Sequence, residues 1–268
     1  MITPVQKLYE VWAGDSELRD ELGRSLDPRG TDWLFEVFAA LGPGPGDLVL
    51  DAGARDAVHT IRLVREHGVH AVAVDPLAFH CAAARERIAD AGLADEIDVV
   101  EGALEELPFD DASFDWIWCR DVLVHVDAER GLAECARVLR PGGVLLAYVT
   151  LATDRLEPQE GDDLVRALAL QRASLDGAQL EAAADPAGFA LRSVERLGSE
   201  WRERMLEDGE WDVRQDLLEL ARLHRRKPEL VEAFGGTAVD AAAGGLTWGI
   251  YQVLGKLCPT VYVWERRA

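Results

Sequence analysis

Residues 48–56, Leu48-Val49-Leu50-Asp51-Ala52-Gly53-Ala54-Arg55-Asp56, place an apolar run, a small-residue turn and a helix start back to back. A short run that is apolar throughout reads as a strand buried on both faces, as in a parallel sheet covered by helices on each side. The pattern repeats. A second run at 71–74 ends in Asp75, and further strands are predicted at 97–100, 114–119 and 144–149. Between them the spacing predicts helices over 56–67, 78–91 and 128–139, with stops at Gly68, at Gly92 and at Arg140-Pro141-Gly142-Gly143. Strand–helix alternation of this kind implies right-handed crossovers and a doubly wound α/β fold.

Beyond strand five the alternation lapses. Helical sequence at 159–185 precedes a predicted strand from Phe189 to Val194. Residues 201–256 then read as helices, with Leu217, Leu220 and Ala221 on one face and Ile250, Val253 and Leu254 on another. Thr260 opens a β-rich closing strand. A block this long between two strands exceeds any ordinary loop and reads as a cap over the strand ends. The expected organisation is a helical lid segment at 1–42, a Rossmann-like core at 43–200, a helical cap at 201–256 and a last core strand at 257–268.

Composition narrows the partners. Acids outnumber bases 49 to 28, for a formal charge of −21. That field repels phosphate backbones and anionic lipid, which argues against nucleic-acid and membrane-surface roles. Cys81, Cys119, Cys135 and Cys258 show no metal-site or redox spacing. The first ten residues lack an apolar signal core, and no run nears the roughly 18 apolar residues of a membrane span. A cytoplasmic protein acting on a small molecule is expected, with no metal.

In open α/β sheets the ligand lies beyond the carboxyl ends of the strands. Asp51 and Asp75 end two neighbouring strands, and a carboxylate at Asp75 suits ribose hydroxyls. Dinucleotide binding needs three glycines at fixed spacing, whereas Gly53 is followed by Ala54, Arg55, Asp56, Ala57 and Val58.

Residues 101–121 run Glu-Gly-Ala-Leu-Glu-Glu-Leu-Pro-Phe-Asp-Asp-Ala-Ser-Phe-Asp-Trp-Ile-Trp-Cys-Arg-Asp. They resemble a signature of the class I S-adenosylmethionine-dependent methyltransferases, the small-molecule methyltransferase family. Asp51-Ala52-Gly53, Val74-Asp75-Pro76, Val122-Leu123-Val124-His125-Val126 and Leu139-Arg140-Pro141-Gly142-Gly143 resemble its other motifs, in order, over roughly residues 30–150. The resemblance implies a seven-stranded sheet with one antiparallel strand, with S-adenosylmethionine as cofactor and S-adenosylhomocysteine as product. It implies that Asp51, Ala52, Gly53, Ala54 and Arg55 cradle the methionine part, and that Cys119 and Arg120 lie beside it. Asp75 would hold the ribose, Pro76 or Leu77 would flank the adenine, and the backbone of Ala103 and Leu104 would meet its edge. Arg55 stands where the family has a second glycine, and Ala103 where it commonly has an aspartate. Arg55 either turns outward or reaches the donor's carboxylate.

The reaction implied is methyl transfer to an oxygen, nitrogen or carbon of a small organic acceptor. Positioning does most of the work, and His125 is the first candidate base and Asp121 the second. His125 has a structural reading too, as a packing residue. Tyr9 and Trp12, at helical spacing, are either core or lid. Trp201, Trp248 and Tyr251 are candidates for the acceptor pocket or for the core of the cap. Arg225-Arg226-Lys227 is either an anion grip or a solvated helix end. The alternatives are a non-methylating cyclase or regulatory protein that binds the same cofactor, and an NAD(P)-dependent oxidoreductase.

Overall fold

The computed structural model describes residues 3–14 and 16–268. Three helices come first: α1 (Pro4–Gly14), α2 (Ser16–Leu22) and α3 (Thr31–Leu41). The alternating part follows as β1 (Leu48–Ala52), α4 (Val58–His67), β2 (His70–Asp75), α5 (Ala78–Ala91), β3 (Ile97–Glu101), β4 (Phe114–Arg120), α6 (Ala128–Val138) and β5 (Leu139–Ala152). Then come α7 (Pro158–Leu168), a 3-10 turn (Ala173–Leu175), α8 (Gly177–Ala184) and β6 (Phe189–Arg196). Helices α9 (Glu200–Glu207), α10 (Val213–Phe234) and α11 (Gly236–Val253) lead into β7 (Leu257–Arg266).

The sheet has seven strands in the order β3-β2-β1-β4-β5-β7-β6. Strand β7 runs antiparallel to both its neighbours, and the other pairings are parallel. Side chains of β5 alternate between the two faces, which explains its unbroken apolar run. Leu145, Ala147, Val149 and Leu151 pack on the side of α6, α7 and α8, while Leu146 and Tyr148 pack on the side of α3, α4 and α5. The helix stop at Arg140-Pro141-Gly142-Gly143 holds, with α6 ending at Val138. The segment it opens is a looped-out part of β5: Phe114 pairs with Leu139, and Trp116 already pairs with Val144.

Several sequence expectations differ from the structure. The single helical stretch expected at 159–185 is broken into α7, the 3-10 turn and α8. Leu217 is 49% exposed and Ala221 also faces solvent, so the anticipated apolar face of α10 does not form; Leu223 is the residue that α10 buries. Arg225-Arg226-Lys227 lies inside α10, not at its end. Arg226 pairs with Glu229 and Lys227 with Asp240, so two of these charges are taken up internally. Helix α1 buries no residue; Tyr9 and Trp12 meet edge to face at 5.4 Å yet remain 62% and 57% exposed, so neither belongs to the core.

The α9–α11 insert begins and ends on one rim. Arg196 at the end of β6 pairs with Thr260, and Leu257 at the start of β7 pairs with Ala152 at the end of β5. Both junctions therefore lie at the carboxyl edge of the parallel strands. No described helix is long and apolar enough to cross a membrane.

Candidate active site

The strand order reverses between β1 and β4, and a cavity of about 380 Å³ opens where their carboxyl ends diverge. Asp51, Gly53, Ala54, Arg55, Asp56, Val58, His59, Arg120 and Asp121 line it. Its floor is the turn after β1. Gly53 takes φ +80°, and a Cβ there would fall 2.2 Å from a methyl of Val122, so only glycine fits. The N–H groups of Gly53 and Ala54 both donate to the carbonyl of Val74, at 2.8 and 3.0 Å. Arg55 and Ala57 also adopt positive φ, 49° and 60°, without glycine's freedom.

Asp75 holds that strained turn in place. Its Oδ2 accepts the N–H of Arg55 at 3.0 Å, and its Oδ1 accepts the N–H of Leu77 at 3.0 Å. His80 Nδ1 lies 2.9 Å from the same Oδ1; a carboxylate only accepts, so this nitrogen carries the proton. Asp75 is 6% exposed, and one lone pair of Oδ2 stays free for a ligand hydroxyl.

The electrostatics centre on Arg120. Its Nη1 lies 3.2 Å from His59 Nε2, and its Cζ lies 5.5 Å from the Tyr148 ring and 5.7 Å from the Trp201 ring. Burial, reinforced by Arg120 and Arg62, pushes His59 down to about 4, so it stays neutral and can accept from Arg120. No carboxylate of the described residues comes within salt-bridge distance of Arg120, an opening for an anionic group of a ligand. Burial pushes Asp51 up to about 7, against the hydrogen bond from Thr60 Oγ1 (2.6 Å) and the charge of Arg120. Asp121 is likewise raised by burial, opposed by Arg120 and by Thr150, whose Oγ1 donates to it at 3.2 Å. Burial also lifts the Cys119 thiol, to about 12, which keeps it protonated and unreactive.

A family model described as a methyltransferase domain matches residues 50–147. Dimethylglycine N-methyltransferase of Parasynechococcus marenigrum (strain WH8102) is 31% identical over 271 residues, covering 92% of this chain and 90% of that protein. The chain belongs to the class I S-adenosylmethionine-dependent methyltransferases. Demethylmenaquinone methyltransferase of Mycobacterium sp. (strain KMS) is 42% identical over 118 residues, 42% of this chain. The matched part spans 46% of that relative, so the chain matches about half the length of the demethylmenaquinone methyltransferase. Geranyl diphosphate methyltransferase in complex with S-adenosylmethionine shares the fold, at a TM-score of 0.65 and 17% identity, covering 87% of this chain and 84% of that one.

The chain's own residues fit the family's cofactor, S-adenosylmethionine. The glycine-floored cavity would take its methionine end, the guanidinium of Arg120, which has no acid partner among the described residues, would take its carboxylate, and Asp75, beyond the turn, would take its ribose. Of the residues expected at the cofactor, Asp51, Gly53, Ala54, Arg55 and Arg120 line the cavity. Ala52 and Cys119 are buried beneath it as strand residues, each 1% exposed. Asp75, Pro76, Leu77, Ala103 and Leu104 gather beyond the turn, where the N–H of Gly102 donates to the Asp75 carbonyl. Leu77 is 44% exposed there, while the Leu104 side chain is buried in the core.

The other candidates are dispersed. Asp121 lines the cavity; His125 is exposed, outside its lining, with Nδ1 3.4 Å from the Ala169 carbonyl. Trp201 is buried against Tyr148, their centroids 4.9 Å apart. Trp248 is half-buried against the core, and Tyr251 donates to Glu160 at 3.1 Å beside a second, smaller cavity among α7, α10 and α11. Tyr9 and Trp12 stand apart on α1. Sequence reasoning missed His59, His80 and Tyr148. His80 carried a usable signal, a histidine five positions past the strand-end acid in the first turn of a helix.

Proposed function

We propose that this chain transfers the methyl group of S-adenosylmethionine to the nitrogen of a small amino acid of the glycine series. The observation that carries this reading is the adjacent pair Arg120 and Asp121 at the tip of β4, a cation and an acid sharing one cavity with the glycine turn. When bound, the cofactor supplies a methyl group already activated on a sulfonium. Arg120, oriented by His59 and by the faces of Tyr148 and Trp201, is suited to hold the donor's carboxylate. Asp75 and the turn it fixes hold the ribose and set the donor's position. An amine acceptor arrives protonated and must give up a proton before its lone pair can attack. Asp121 takes that proton on Oδ2, and its burial makes it a stronger base than an exposed aspartate.

The amine class is supported by reach. A match to a dimethylglycine N-methyltransferase over 92% of the chain must run through the insert, whereas the demethylmenaquinone match of 118 residues is less than half the chain. The polar lining also suits an ionic acceptor better than a quinone ring. Four free cysteines, three of them buried, accord with a reducing compartment, and we place the protein in the cytoplasm.

The test is a thermal melt with S-adenosylmethionine, S-adenosylhomocysteine, NAD and NADP, followed by an S-adenosylhomocysteine-release assay on sarcosine, dimethylglycine and a demethylated quinol. Saturating adenosyl ligand should raise the midpoint by roughly 5–10 °C. Release with the amines and not the quinol supports the reading. A response to the dinucleotides alone, or binding without release from any acceptor, overturns it.

A further inference from the structure

Arg202 lies in the first turn of α9, beside Trp201. Its guanidinium is half-buried among three elements of the insert. Nε donates to Gln252 Oε1 at 2.8 Å, Nη1 reaches Met205 Sδ at 3.5 Å, and Cζ sits 5.1 Å from the Trp211 ring. Gln252 is itself 1% exposed. Helix α11 is thinned to admit the group: a Cβ on Gly249 would lie 3.3 Å from Cζ and 3.4 Å from Nε of Arg202, and 3.0 Å from the Trp211 ring. Such a seat is built for a guanidinium, yet it offers no carboxylate.

That omission is informative. Arg29, Arg62, Arg137 and Arg204 are also withdrawn from solvent, and each pairs with at least one acid. With 49 acids against 28 bases, partners are plentiful. A cation taken partly out of water without a counter-charge is costly until an anion arrives. Among the described residues Nη2 makes no hydrogen bond, and it is not sealed from solvent. The neighbour of Arg202, Trp201, packs on Tyr148 at 4.9 Å and lies 5.7 Å from the Arg120 guanidinium, which brings the start of α9 beside the donor cavity. Asp216 is engaged by the Trp211 indole N–H at 2.6 Å, while Asp121 and Arg120 line the donor cavity.

We propose that Arg202, presented by Gln252, Gly249 and Trp211, binds the acceptor's carboxylate and so selects amino acids over amines that lack a carboxylate. The inference rests on the N-methyl-transfer reading above and names the residue that recognises its substrate class. Arg120 then serves the donor's carboxylate and Arg202 the acceptor's, while Asp121 takes the ammonium's proton.

The experiment is calorimetry on the full chain loaded with S-adenosylhomocysteine, titrated with dimethylglycine and with its amide, N,N-dimethylglycinamide. Wild type should prefer the acid by about tenfold or more, the worth of one charge-assisted hydrogen-bonded pair. Arg202→Met should erase that preference while S-adenosylhomocysteine affinity, which reports the fold, stays within about twofold. Arg202→Lys should restore part of it. Gln252→Glu keeps the guanidinium but gives it an internal carboxylate, and should also erase the preference. Equal binding of acid and amide to wild type, no binding of either, or an undiminished preference in both Arg202→Met and Gln252→Glu overturns the assignment. A preference that depends on Arg202, with no methyl transferred to any amine, would instead overturn the transfer reading and leave the anion site standing. Turnover of amines with no acid preference would do the reverse.

Discussion

The tips of β1, β2 and β4 and the junctions of the α9–α11 insert lie on one rim of the sheet, but the two regions are built by different rules. Residues 143–151 of β5 are buried without a break, whereas the 22-residue α10 buries only Leu223. The strand tips are held by two-sided apolar packing and by backbone N–H groups of the turns, which donate to the Val74 carbonyl and the Asp75 carboxylate. The insert is held chiefly through one helix, α11, which buries Val239, Ile250 and Gln252 and packs closely on α7 at Gly244, while α10 carries mostly exposed charges. Packing on two faces leaves few acceptable side chains at each position. An exposed helix such as α10 leaves many, so the strand tips are constrained and the outer face of the insert is free to vary.

That contrast can be broken by mutation. The largest effect is expected at Asp121: Asp121→Asn should lower kcat by about 10²–10⁴ if it accepts the acceptor's proton, while His125→Ala should change it by less than about twofold. Equal losses would return His125 to the reaction. Next is Asp75→Ala, which removes an acceptor for the ribose and the anchor of Arg55 together. Affinity for S-adenosylhomocysteine should drop about 100-fold by calorimetry. Lys227→Ala, which breaks an exposed ion pair in the insert, should leave it unchanged.

Asp51 supplies a pH signature confined to the strand tips. Its pKa rises on folding, from about 4 to about 7, so its contribution to stability is complete below about pH 4 and is lost as pH climbs through 7. Against Asp51→Asn, wild type should lose about 3 kcal/mol between pH 5 and pH 8 in urea titrations. A difference that stays flat with pH would show that this carboxyl titrates normally. The smallest effects come from one substitution made in both regions. Gly53→Ala forces a positive φ and a collision with Val122, and should destabilise by about 1–3 kcal/mol. Gly245→Ala in α11 meets nothing within 4 Å and should stabilise by about 0.5–1 kcal/mol. Matching signs would erase the distinction between the regions.

The same division decides how much could be read from the sequence. Helix α5 falls at 78–91 as its spacing predicts, and α6 stops one residue before the expected 139, because periodicity and glycine or proline stops are local signals. The turn at Gly53 was legible for the same reason. The insert was legible as helix but not as packing: Leu217, Leu220 and Ala221 look like a core face, yet Leu217 and Ala221 are exposed and Leu220 only lines the cavity shared with α7 and α11. Trp201 was visible as a candidate, while its neighbour Arg202 was one arginine among many. What distinguishes it is the missing acid, which only three-dimensional neighbours reveal. His59 was hidden similarly, since its role depends on Arg120 arriving from a strand some 60 positions away.

Strand β7 is the last of the seven in chain order, yet it fills the slot between β5 and β6, with Tyr262 and Trp264 stacked at 4.5 Å in the core. Until Leu257–Arg266 leaves the ribosome, two hydrogen-bonding edges of a largely apolar sheet stand open beside each other. A nascent chain in that state is a template for pairing with its neighbours. Yield in the cell should therefore depend on how quickly this one hairpin-like slot is filled, more than on anything at the catalytic rim.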